Sequence, residues 1–169
     1  MSKRVLSFTG LSPTATADTT NLVDSTYHGL IKGASSTQRV KILEVLQTGM
    51  APSSSSPTYQ ILSRDSTVAT GTAGFSAGGT DAPVDASATD PSLPIVGNTF
   101  ATTKPQRSAT LHLMPLGINA YGGAMRWRPD DDDDFCLVGN TASLGEISLS
   151  AFTGGTTGII QSAITYEVI

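Results

Sequence analysis

Five successive aspartates at residues 130–134 are the densest group of possible ligands in the chain. Calcium takes roughly six to eight oxygens, usually from alternate loop positions, with a glycine that lets the loop turn. The alternate positions here are Asp130, Asp132 and Asp134, but no glycine interrupts the run. Adjacent extended residues also point to opposite sides, so few of the carboxylates can converge. The run therefore reads first as a solvated acidic turn that keeps an edge from pairing with its neighbours. Cation binding at Asp130, Asp132 and Asp134, or docking on a basic partner surface, is the sharper reading. Just before it, Arg126 and Arg128 alternate around the only tryptophan, Trp127. With Trp127 turned to the core, both guanidinium groups face outward near the aspartates, where an ion pair contributes little. Trp and Arg are enriched in binding hot spots, which makes Arg126, Trp127 and Arg128 the candidate interface residues.

Other chemistries lack their residues. His28 and His112 are too few and too far apart for zinc, and Cys136 has no second cysteine. No Gly-x-Ser-x-Gly elbow, phosphate-cradling glycine loop or heptad seam occurs. Fourteen acids, five of them in one run, offer no obvious catalytic pair. The expectation is a protein that is not an enzyme, with no catalytic residue, cofactor or resident metal.

The elements that must position these residues read as short strands. The apolar runs at 125–128 and 135–138 flank the aspartates and predict a β-hairpin with an acidic tip. Residues 108–114 alternate Ala109, Leu111 and Leu113 against Ser108, Thr110 and His112. A second run, 118–121, ends at a kink at Gly122 and Gly123. Residues 146–151 alternate Ile147, Leu149 and Ala151 against Glu146, Ser148 and Ser150. In the last strand Ile160, Ile164, Tyr166 and Val168 share one face. A period of two with one wet face is the antiparallel signature.

Earlier in the chain, 5–8, 25–32 and 58–64 read as strands, and 11–24 as an extended arm. Residues 38–47 place Ile42, Val45 and Leu46 at helical spacing, but β-branching and shortness favour a strand, with helix the alternative. From 68 to 98 glycines and prolines remove any period, leaving a long irregular excursion. The tally of eight or nine strands predicts an all-β fold, an antiparallel β-sandwich of jelly-roll kind, in one domain over 1–169.

Composition agrees. Charged residues are 14% of 169, against roughly 25% in an average soluble protein. The chain carries 20 Ser and 23 Thr beside 17 Gly, and so is solubilised by hydroxyls more than by charge. A net charge of −4, with ten scattered Lys and Arg, argues against nucleic acid as a partner. No apolar stretch is long enough to cross a membrane as a helix, and the first residues do not form a secretory signal. A soluble protein is the expectation.

Three segments carry a resemblance: Ala101-Thr-Thr-Lys-Pro-Gln-Arg-Ser-Ala-Thr-Leu, Tyr121-Gly-Gly-Ala-Met-Arg-Trp, and Gly139-Asn-Thr-Ala-Ser-Leu-Gly-Glu-Ile-Ser-Leu-Ser. Together they resemble small structural proteins of tailed bacteriophages, over roughly residues 37–169. The resemblance implies a virion protein, made in the host cytoplasm, of the capsid decoration or cement type. It implies a homotrimer on the major capsid protein, with 11–24 and 68–98 reaching to neighbours. Its alternative is a head- or tail-fibre module that binds a host receptor or glycan.

Overall fold

The computed structural model describes residues 4–12, 27–49, 57–70, 73–74, 80–83, 95–97, 99–100, 102–103, 105–119, 121–130, 136–138, 144–151 and 160–168. All regular structure among them is β. In chain order the strands are β1 (Arg4–Ser12), β2 (Tyr27–Lys32), β3 (Arg39–Gly49), β4 (Pro57–Thr67), β5 (Ala73–Gly74) and β6 (Thr80–Pro83). Then come β7 (Ile95–Gly97), β8 (Thr99–Phe100), β9 (Gln106–Asn119), β10 (Ala124–Trp127), β11 (Cys136–Val138), β12 (Ile147–Ala151) and β13 (Ile160–Val168). Every pairing is antiparallel. One sheet runs β10-β3-β13-β1-β6, with β11 also on β3; a second runs β7-β2-β12-β4-β9; β5 and β8 form a small pair.

One cluster of buried side chains draws on both large sheets. Val40, Ile42, Val45, Ile164 and Tyr166 come from the first, and Ile31, Leu62, Val96, Leu116, Ile147 and Leu149 from the second. Met125 and Trp127 pack against its margin. Strand β3 explains the helix-like spacing of its own sequence. Tyr166 pairs with Ile42 and Thr165 with Glu44, so Leu43 is an extra residue in a bulge. The bulge shifts the buried set from Val40 and Ile42 to Val45 and Gln47. A strand that changes parity midway places apolar residues three apart, as a helix does.

Several sequence expectations need correction. Residues 125–138 do not form a hairpin, because β10 and β11 pair with β3 and not with each other. Trp127 stands opposite Val45 and Cys136 opposite Lys41, so the segment is one interrupted edge strand. On β3, Ile42, Leu43 and Glu44 lie between the two paired stretches. The 68–98 excursion is not wholly irregular: β6 extends the first sheet beside β1, and β7 the second beside β2. These strands are too short to show a period, and their pairing is supplied by the partner strand. Pro83 is tolerated because β6 is an edge strand, where one side needs no backbone donor. Residues 108–119 form one strand, β9, and not two. Finally, β12 has no wet face, as its serines are fully buried.

At the turn into β10 the glycines have distinct reasons. Gly122 has φ of 75°, a left-handed conformation that a side chain strains. A Cβ on Gly123 would stand 2.4 Å from the carbonyl oxygen of Asn119.

Candidate functional site

The alternation of β2, β4 and β12 puts a polar row on the face of the second sheet opposite the hydrophobic cluster. Ile31 pairs with Ile147, and Ile147 with Arg64. Extending both registers by one residue sets Lys32, Glu146 and Asp65 side by side across three chain segments. The backbone N–H of Asp65 donates to the Glu146 carbonyl at 3.1 Å, which closes that register. Next along the face, Ser148 stands opposite Ser63, and Ser150 opposite Ile61. All these side chains are buried, Lys32 to 5% exposure and Asp65 and Glu146 completely.

A turn at Leu144 delivers Glu146 to the row. Leu144 has φ of 72°, held by its N–H donating to the Asp65 carbonyl at 3.0 Å and its carbonyl accepting from Arg64 Nη1 at 2.7 Å. Non-glycine residues in this conformation cost energy and persist where their surroundings over-determine them. Beyond β4, the chain passes over the row at Ala69, and both backbone polar groups of that residue are used. Its N–H donates to Glu146 Oε1 at 3.0 Å and Oε2 at 3.1 Å, and its carbonyl accepts from Lys32 Nζ. Nζ also lies 3.1 Å from Glu146 Oε2. Ser148 Oγ donates to Asp65 Oδ1 at 2.6 Å, and Arg107 Nη1 donates to Ser150 Oγ at 2.9 Å. Arg107 reaches inward because residues 108–111 bulge out of β9, where Ser108 Oγ accepts from the N–H groups of Thr110 and Leu111.

Two carboxyls and one ammonium in a dry site cannot all stay charged without cost. Burial pushes the Asp65 carboxyl well above the ordinary carboxylate range, and the neighbouring Glu146 carboxylate pushes it further; Ser148 and Lys32 oppose both. Burial also raises Glu146, against Asp65, Lys32 and the Ala69 N–H. Asp65 Oδ2 meets no donor. Protonated, that oxygen becomes a donor toward the carboxyl of Glu146, which relieves the repulsion between the two acids.

The residues nominated from sequence form a different group. Arg126 Nη2 lies 2.8 Å and Arg128 Nε 2.5 Å from the same oxygen, Glu44 Oε2. Among the described residues their partner is thus Glu44 on the neighbouring β3. Arg126's hydrogen bond is the main cause of a lowered Glu44 pKa. Trp127 is half-buried at the core margin, as its alternation with the arginines requires. Asp130 is exposed at a bend, while Asp132 and Asp134 lie outside the described residues. Among the described residues no group of three or more His, Cys, Asp or Glu could hold a metal ion. Beside Arg126, whose strand partner is Leu46, a hollow of about 150 Å³ is lined by Leu46, Thr48, Gln161 and Ala163.

Sequence reasoning missed Lys32, Asp65 and Glu146. Their one signal is a charge set against an apolar run in a chain poor in charge: Leu-Ile-Lys32, Glu146-Ile, and Asp65 after Ile61-Leu62. No known protein family, curated protein or solved structure matches the chain.

Proposed function

We propose that the two large sheets pack as a jelly-roll sandwich and that the protein is a non-enzymatic capsid decoration protein of a tailed bacteriophage. It acts as a homotrimer on the major capsid protein at the virion surface, without nucleic acid or membrane. The strand order carries this reading. With β10 and β11 taken as one interrupted strand and the short β5 to β8 set aside, eight strands remain. One sheet then runs first-eighth-third-sixth, and the other second-seventh-fourth-fifth. That interleaving is the order expected of the double Greek key of jelly rolls, an architecture used in viral capsid and lectin domains. A fold supports many functions, and the phage reading rests in addition on the three resembling segments.

The proposed contact surface is the interrupted edge on β3, where Arg126, Arg128 and Asp130 are exposed and Arg126 stands beside the hollow at Leu46. Fixed charges on a rigid edge suit a partner of complementary charge. A decoration protein stabilises a capsid because it binds the assembled lattice and not the separated subunits.

The second reading, a fibre module for a host glycan or receptor, is favoured by Tyr121. Its side chain is 54% exposed at the turn before β10, and exposed aromatics suit sugar faces. Copy number and location in the purified particle decide between them. Decoration expects near-stoichiometric amounts with the major capsid protein and lower capsid heat resistance without this chain. A few copies at a tail tip would overturn it.

A further inference from the structure

From the arrangement around Glu146 we infer that Lys32 and Glu146 condense into an intramolecular amide bond, with Asp65 as the proton relay. The inference is independent of the virion reading.

Amide formation between side chains needs a nucleophile in contact with a carboxyl carbon, a donor for the oxyanion and a group that moves protons. All three converge on Glu146. Nζ lies 3.1 Å from Oε2, an ion-pair contact that holds the amine beside the carboxyl group whose carbon it must reach. The Ala69 N–H points at the same carboxyl, at 3.0 and 3.1 Å from its two oxygens. Asp65 is completely buried on the other side, with Oδ2 meeting no donor and Oδ1 fixed by Ser148. Its raised pKa keeps a proton available there.

The balance closes without any outside reagent. A proton passes from Nζ to the Glu146 carboxylate, giving a neutral amine and a neutral acid. The nitrogen lone pair attacks Cδ, and the developing oxyanion is held by the Ala69 N–H. Asp65 donates its proton to the departing hydroxyl, the C–O bond breaks and water leaves. The nitrogen then returns a proton to Asp65, so the products are one amide, one water and a regenerated acid. Burial favours this direction, because an ion pair that is costly to desolvate becomes a neutral amide and the water escapes.

Mass spectrometry of the purified, denatured full-length chain tests it. The expected mass is one water below that of the polypeptide. A tryptic digest should contain one branched peptide joining the Lys32 and Glu146 segments, since trypsin does not cleave after an amidated lysine. Lys32→Arg keeps the charge but cannot condense, and should restore the full mass. Asp65→Asn should form the bond many-fold more slowly after refolding. Folded wild-type protein at full mass, with only linear peptides, would overturn the cross-link. Bond formation at an unchanged rate in Asp65→Asn would overturn the relay.

Discussion

Two clusters in this molecule join carboxylates to basic side chains and behave in opposite ways. On the second sheet, Lys32, Asp65 and Glu146 are sealed from water, and burial raises both acids. On the first sheet, Glu44 meets Arg126 and Arg128 with both arginines more than half exposed, and its pKa falls. The contrast lies in the environment and not in the residue types. Where water remains, cations nearby stabilise the charged acid; where it is excluded, desolvation outweighs a lysine at 3.1 Å. The first kind of cluster is available to a partner. The second is committed to the interior of its own sheet.

Breaking the buried cluster should have the largest effect. Glu146→Ala leaves Lys32 without its carboxylate and the Ala69 N–H without an acceptor, and should cost about 3–5 kcal/mol in urea unfolding. Next is the neutral polar link in the core. Gln47 Nε2, on β3, donates to Gln60 Oε1 on β4 in the other sheet and to Ser162 Oγ on β13 at 3.1 Å. Gln60→Ala removes one acceptor of a fully buried amide and should cost about 1–3 kcal/mol by the same measurement.

The pH dependence separates the clusters by sign. Folded Asp65 keeps a proton that the unfolded chain loses near the ordinary value of 3.8. Its contribution to stability is therefore greatest below that value and declines as pH rises toward the elevated folded pKa. Asp65→Asn should flatten this decline in urea midpoints taken across the acid-to-neutral range. Glu44 runs the other way. Its contribution is present above the usual 4.5 and is lost as pH falls through its lower folded pKa. The smallest stability effect is expected for Arg126→Ala with Arg128→Ala, because exposed pairs contribute little. Under the proposed decoration function, the same double variant should nevertheless bind capsids less well in a co-sedimentation assay.

What could be read from sequence follows from what is local. Alternation at Ile147 and Leu149, or at Ile164 and Tyr166, identified strands and their core face without knowledge of partners. Register is not local, and everything that depended on it was hidden. The buried row arises only when Lys32, Glu146 and Asp65 are aligned through Ile31, Ile147 and Arg64. The hairpin failed for the same reason: two apolar runs close in sequence each found β3 a better partner than one another. Serines 148 and 150 looked like a wet face because hydroxyls do not disclose whether water or a buried Asp65 and Arg107 will satisfy them. Glu44 gave no sign of being the arginines' partner, since 82 residues separate it from Arg126.

The division between a sealed cluster and an available one is tested most directly by Glu146→Ala and Glu44→Ala, unfolded in urea side by side at neutral pH. The expected result is a large fall in midpoint for Glu146→Ala and a shift near zero for Glu44→Ala. Equal shifts, or a larger one at Glu44, would contradict it.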